Sequence, residues 1–280
     1  MYTNYGYLKD YSDMRDHHPD HPEIAPLLAK TALATTVTLP SRTDLRTFCN
    51  PVRNQATIGS CTGHASTGLI EVCLKKTYGK TIDCSPLFQY KITRNFLKWS
   101  GDTGAFLRSA MGSLALFGVV PETYWPYVVA DYEKEPTAFV YAMAQNFQAL
   151  KYYRLDTPGL DKNTLLQSIK NTIAYCTPVM FGFTVYKSIA NVTSNGLLPF
   201  PTSSDAVAGG HAVLAVGYDD SLQCPNASTR GALLVRNSWG KDWGEAGYFW
   251  MPYDYVLRGL ADDWWTVTSQ EWVDTGAFMP

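Results

Sequence analysis

The order of local patterns along the chain predicts an α+β protein, with helices in its first half and strands in its second. Two runs of evidence carry this. Between 61 and 77, Ala65, Leu69, Val72 and the stem of Lys76 recur at helical spacing, and no proline intervenes until Pro86. After about residue 150, short β-rich runs at 179–186, 210–218, 232–235 and 247–251 are separated by clusters of Gly, Pro, Ser and Asn. Segregated helices and strands are the pattern of an α+β fold.

Taken in order, the first helix begins at Cys61, with Ser60 placed to cap it. Cys61 therefore falls on a first helical turn. Further helices are expected over 86–99 and 106–117, the latter ended by Gly118. The run from Ala212 to Val216 is uninterrupted and apolar, as in a strand buried on both faces. The chain divides into an N-terminal extension over 1–38, a mainly helical part over 39–150 and a mainly β part over 151–280. No repeat of 20 to 50 residues is evident.

Composition bounds the function. With 280 residues, 46% of them hydrophobic and 17% charged, the chain can bury a large core, as one domain or two packed halves. A net charge of −2 supplies no general field for nucleic acid or an anionic membrane, so neither is expected as a partner. No window of about 20 uninterrupted apolar residues suggests a membrane span. The polar, aromatic start has no apolar core of the signal-peptide type. Either export does not use such a signal or the signal has been removed; a secreted or periplasmic site is favoured over the cytoplasm.

Six cysteines, at 49, 61, 73, 84, 176 and 224, include no CxxC pair and no zinc spacing. Disulfides among them are expected, with their pairing open. His17, His18 and His21 stand beside Pro19 and Pro22, which suits a solvated loop better than a metal site. No metal and no cofactor is expected.

The candidate chemistry centres on Cys61. A helix N-terminus favours thiolate over thiol. Taken alone, such a cysteine reads sooner as a small, inert buried hydrophobe, and the residues that accompany it reverse that reading. His211 opens the apolar strand behind Gly209 and Gly210, and is a candidate base. His64 is near Cys61 in sequence, but three residues along the same helix it turns away from the helix start, so a packing role is expected. Asn237 could hold an imidazole in one tautomer through its amide oxygen, with Trp239 shielding that bond. Gln55, six residues before Cys61, could join the Cys61 backbone N–H in steadying an oxyanion.

Gln, Cys, His and Asn in this order resemble the papain family. That family places His and Asn about 130–150 residues after the cysteine; here they follow by 150 and 176 residues, as loop insertions would produce. Further motifs agree in order from Leu39 onward. Leu39-Pro40 with Asp44-Leu45-Arg46 resembles a mature N-terminus of the family. Pro51-Val52-Arg53-Asn54-Gln55 and Gly59-Ser60-Cys61 resemble its nucleophile segment. Gly101-Asp102-Thr103-Gly104 is similar to its substrate-binding strip, and Trp125-Pro126-Tyr127 to its aromatic-Pro-Tyr. Gly210-His211-Ala212-Val213 resembles the histidine strand. Asn237-Ser238-Trp239-Gly240, followed by Trp243 and Gly247-Tyr248, is a long match. Ile58 stands where the family carries a cysteine, Thr62 where it carries an aromatic, and Thr103 where it carries a glycine. These departures and the short extension look more like bacterial members.

The resemblance implies a helical lobe carrying Cys61, a twisted antiparallel barrel-like lobe carrying His211 and Asn237, and a cleft between them. It implies a cysteine endopeptidase, with Asp102, Thr103, Gly104, Ala105 and Gly210 toward the substrate and Trp239 on the leaving side. Implied partners are peptide or protein substrates and protein inhibitors of cystatin type; a monomer is expected. A peptide-binding relative without activity and a Cys-His acyl or amide transferase are the rival readings. Residues 1–38 are too short for the large pro-domain of many members. Their apolar residues Ile24, Leu27 and Leu28 are expected to fold across the cleft as a short pro-segment, or else to pack as an inert arm.

Overall fold

The computed structural model describes residues 5–30 and 38–272. A short strand β1 (Tyr7–Leu8) and a short helix α1 (Ala25–Lys30) lead to β2 (Arg42–Asp44). Helices α2 (Cys61–Tyr78) and α3 (Pro86–Phe96) follow. Then come β3 (Ala105–Phe106), α4 (Leu107–Phe117), α5 (Ala138–Ala144) and β4 (Phe147–Arg154). The second half holds α6 (Lys162–Ala174), β5 (Val179–Tyr186), β6 (Val207–Asp219), β7 (Ala232–Arg236), β8 (Tyr248–Pro252), α7 (Asp254–Leu257) and β9 (Ala261–Trp272). The class is α+β, as the sequence predicts.

Helix α2 is buried from Cys61 to Leu74. It packs against β6 on one side and α3 on the other. Gly79, at φ 66°, ends it by returning its N–H to Lys75 O, the left-handed stop that a residue without Cβ adopts freely. Ser60 holds the expected N-cap position, but its hydroxyl makes no cap bond. The hydroxyl is taken by Tyr127 Oη at 2.6 Å instead. By contrast, Ser85 caps α3 through Phe88 N at 3.1 Å, with Pro86 at the first helical position.

Strands run in the order β4-β9-β5-β6-β7-β8, with β2 pairing β6 off that path. Every pairing in this sheet is antiparallel. Phe183 of β5 lies opposite His211 of β6, and Leu214 of β6 opposite Arg236 of β7. Asn237 leaves the end of β7 next to that pair, so the antiparallel register carries it toward His211.

One buried carboxylate ties the two halves together. Glu71, on α2, binds Arg53 at 2.7 Å and Cys84 N at 2.9 Å, and lies 3.8 Å from Arg236. Arg53 is two residues from Gln55, and Arg236 precedes Asn237. The helix that starts at Cys61 is thus fixed against both other site segments. All six cysteines are unpaired thiols, so the expected disulfides are absent. Cys73, Cys84 and Cys224 are buried among apolar side chains instead. No helix among the described residues is long and apolar enough to cross a membrane.

Candidate active site

The first turn of α2 faces the start of the sheet's central strand. Cys61 is fully buried, and its sulfur accepts from Ala212 N at 3.5 Å. That N–H belongs to the residue after His211, so thiol and imidazole share one short stretch of β6. His211 Nε2 lies 2.8 Å from Asn237 Oδ1. The same oxygen accepts from Ser238 N at 2.8 Å, which identifies it as the carbonyl end of the amide. Nε2 must then carry the proton, leaving Nδ1 as the basic nitrogen. Nδ1 is buried with no hydrogen-bond partner. Trp239 stacks on the imidazole at 4.8 Å and 23°, covering the Asn237 bond from water.

Gln55 is held in one plane. Its Nε2 donates to Ile58 O at 3.0 Å, and its Oε1 accepts from Ser238 Oγ at 2.6 Å. Because Ser60 does not cap the helix, the first-turn N–H groups of Cys61 and Thr62 remain turned to the Cys61 sulfur. His64 lies apart from this group. Its Nδ1 lies 3.1 Å from Ser60 O, and its ring meets Tyr127 edge-on. Burial lowers its pKa to about 3.

The strip at 101–105 lines the cleft, with its members turned different ways. Asp102 accepts from Gly59 N at 2.8 Å and from Tyr90 Oη at 2.6 Å, tying the strip to the Cys61 loop. Thr103 is exposed and donates to Gly104 O at 3.0 Å. Gly104 N donates to Tyr90 Oη at 3.0 Å. Ala105 N donates outward, to Gly6 O at 2.9 Å.

That last bond belongs to the N-terminal arm, which runs through the cleft. Tyr7 and Leu8 pair in parallel with Ala105 and Phe106. Tyr5 packs edge-on against His211 and Trp239, at 6.1 and 6.2 Å. A Cβ on Gly6 would overlap the Gly59 carbonyl, so only glycine passes here. The segment across the cleft is therefore Tyr5 to Leu8, not the apolar residues 24–28. Ile24 is fully buried in the main core, and Glu23 beside it reaches Lys151 of β4. A polar-aromatic start gave no local sign of this, because its partners, from Gly59 and Cys61 to Ala105 and Asp262, all lie far along the chain.

Burial under the arm decides the charge state of the pair. Desolvation pushes the Cys61 thiol up to about 11, although N–H groups from Ala212, Gly6, Thr62 and Cys61 pull it back in part. Desolvation takes His211 down to about 4, against the opposing pull of Asn237. The low thiol pKa expected from the helix terminus is thus overridden in this closed arrangement, where thiol and imidazole are both neutral.

A buried thiol beside an imidazole anchored by an amide, in a cleft between helices and an antiparallel sheet, is the arrangement of an enzyme that moves acyl groups through a thiol. The comparisons make this specific. Residues 39–263 match the family model for papain family cysteine proteases, and the chain belongs to that family. It is 32% identical over 222 residues to an uncharacterized peptidase C1-like protein of Acanthamoeba polyphaga mimivirus, covering 76% of this chain and 68% of that one. It is 27% identical to thiol protease aleurain of Arabidopsis thaliana, over 81% of this chain and 60% of aleurain. Among solved structures it is similar to xylellain, a cysteine protease from Xylella fastidiosa, at 33% identity and a TM-score of 0.77, over 97% of each chain. Procathepsin L 3 of Tenebrio molitor shares the fold at 21% identity and a TM-score of 0.65, covering 85% of this chain and 73% of that one. The protein is a papain-like cysteine peptidase, a hydrolase of peptide or protein substrates.

Proposed function

We propose that the chain is a bacterial-type endopeptidase acting through Cys61, His211, Asn237 and Gln55, and that residues 1–38 hold it silent as a short pro-segment. The observation that carries this is the 2.8 Å bond from His211 to Asn237, which leaves Nδ1 basic and unpartnered beside the Cys61 strand contact. In the open enzyme Nδ1 takes the thiol proton, and the thiolate attacks a peptide carbonyl. The Cys61 backbone N–H and Gln55 Nε2 receive the oxyanion. His211 then protonates the leaving amine, and water, deprotonated by His211, releases the acyl group.

The arm does not lie as a substrate would. It turns the Gly6 N–H toward the Cys61 sulfur, so no carbonyl carbon meets the nucleophile there. An inhibitory reading follows from that direction. The test is hydrolysis of a fluorogenic peptide series by the full chain carrying Gly6→Val, with the Cys61→Ser form as control. Cleavage lost with Cys61→Ser supports the reading. A product that incorporates added amine in preference to water would mark a transferase. Binding without cleavage would mark a silent relative.

A further inference from the structure

The peptide unit between Ile58 and Gly59 is gripped from both sides. Its carbonyl accepts from Gln55 Nε2 at 3.0 Å, and its N–H donates to Asp102, 2.8 Å from Oδ1 and 3.1 Å from Oδ2. A carboxylate, a backbone amide and the Gln55 side chain therefore form one chain of hydrogen bonds. Gln55 Nε2 carries two hydrogens. Binding one to Ile58 O sets the direction of the other, and that direction decides how well an oxyanion is met. The link is entirely non-covalent, since all six cysteines are thiols and Ile58 stands where the family carries a cysteine.

The carboxylate is in turn held by α3. Tyr90 is fully buried, and its Oη donates to Asp102 Oδ1 at 2.6 Å while accepting from Gly104 N at 3.0 Å. Burial raises the pKa of this phenol, and the Asp102 hydrogen bond adds to the rise, so it remains a donor. The Arg94 guanidinium lies 4.3 Å from the Tyr90 ring centroid, donates to Gly101 O and binds Glu133 at 2.8 Å. Glu133 accepts from Gly101 N in turn. The strip is thus fixed on both sides of Asp102, at Gly101 and at Gly104. Tyr90 has no room to drift. A Cβ on Gly63 would come within 3.2 Å of Tyr90 Cβ and 2.5 Å of Pro86 O, so α3 rests directly on the first turn of α2.

We infer that Asp102 and Tyr90 are positioning residues for the oxyanion donor Gln55, acting through the Ile58–Gly59 peptide rather than on the substrate. A carboxylate on the amide N–H polarises that unit, which makes the Ile58 carbonyl a stronger acceptor for Gln55. The Gln55 amide is then fixed at both ends, because Ser238 Oγ donates to its Oε1 at 2.6 Å. Fixed donors are what an oxyanion site needs, since nothing must reorganise as charge develops. Asp102 turns both oxygens on Gly59 N, a geometry aimed at the loop before Cys61. The inference rests on the peptidase reading above, in which Gln55 meets the oxyanion.

The test uses the full-length chain with Gly6→Val, which cannot seat the arm, and steady-state kinetics on the best-cleaved member of a fluorogenic peptide series. Asp102→Asn removes the charge but keeps an acceptor. It should lower kcat about tenfold with KM changed by less than about twofold, the signature of an interaction made in the transition state. Tyr90→Phe removes one hydroxyl and should lower kcat in the same way, by less. In a Gln55→Ala background both substitutions should lose their effect on kcat, because the group they orient is gone. A merely structural role would instead multiply with Gln55→Ala, and a direct substrate contact would raise KM. Either result overturns the inference while sparing the peptidase reading. If Asp102→Asn fails to fold, Tyr90→Phe, which keeps the ring in place, decides by the same cycle. Hydrolysis of no member of the series by the Gly6→Val chain overturns the peptidase reading itself, and the inference with it.

Discussion

The backbone N–H of Gly6 faces the sulfur of Cys61. The contact keeps water off the thiol and sets a donor where a substrate would set a carbonyl carbon. A residue 55 positions away in sequence thus controls the protonation of the nucleophile.

Alkylation should read that control directly. With the arm seated, a thiol pushed up to about 11 holds roughly one thiolate in 10⁴ at pH 7, and its reactivity should climb as pH rises toward that value. Gly6→Val cannot seat the arm, because its Cβ would overlap the Gly59 carbonyl. Water then reaches the pair, the desolvation that raised Cys61 and lowered His211 falls away, and the helix terminus favours thiolate. Cys61 should label fastest of the six cysteines near pH 6 in this variant, as mapped by mass spectrometry. Cys73 or Cys84 labelled first would remove Cys61 from its role.

The two histidines should separate cleanly in the same background. His211→Ala should abolish turnover, because the N–H groups that face the Cys61 sulfur, from Ala212, Gly6, Thr62 and Cys61, are backbone amides that cannot take its proton. Asn237→Ala should lower kcat less, since the amide orients the ring and carries no proton. Gln55→Ala should cost about 10²-fold in kcat, the scale of one oxyanion donor. His64→Ala should leave most turnover and act on stability, through its Ser60 and Tyr127 contacts. Steady-state kinetics on one peptide decide the order, and a reversed ranking of the histidines would refute the triad.

The fold class and the elements that carry these residues were largely legible in the sequence because the information is local. Helical spacing marked α2 from Cys61, a short β-rich run between turn-forming clusters marked Val179–Tyr186, and short motifs carried Gln55, His211 and Asn237. Ser60 misled, since its propensity to cap yielded to Tyr127, a partner 67 residues away. The path of the arm was illegible for the same reason. Tyr7 meets Asp262 across 255 residues, and no period or propensity encodes such a contact. The apolar residues 24–28 drew attention by composition, yet the cleft took a glycine between tyrosines, chosen by backbone clearance.

Glu71 should prove a structural keystone separable from catalysis. Its carboxylate is buried between Arg53 and Arg236, and burial raises its pKa against their attraction. Glu71→Leu leaves the Arg236 guanidinium among uncharged partners such as the carbonyls of Asn50 and Pro51. Breaking such a buried pair costs about 3–5 kcal/mol. Urea unfolding should show that loss as a lower midpoint with an unchanged slope. A midpoint within experimental error of the parent would mean that the ion cluster contributes nothing net.

The arm is tied down outside the cleft by Arg108 of α4, and this latch gives the last prediction. Its Nε binds Asp16 at 2.6 Å, its Nη2 donates to Tyr11 O at 2.6 Å, and its Nη1 pairs with Asp10. Three arm groups thus converge on one guanidinium, between the cleft-crossing segment and the packed residues near Ile24. If residues 1–38 restrain the enzyme, Arg108→Ala should loosen the arm and raise kcat/KM of the full chain toward that of a chain starting at Leu39. The loosened chain should also shorten itself on incubation, visible as a mass loss that Cys61→Ser prevents. Asp10→Asn weakens the same latch from the arm side without touching the core, and should move kcat/KM in the same direction by less. Equal kcat/KM for the full chain, both variants and the shortened chain, with every full-length form intact, would leave residues 1–38 as a packed arm without a regulatory role.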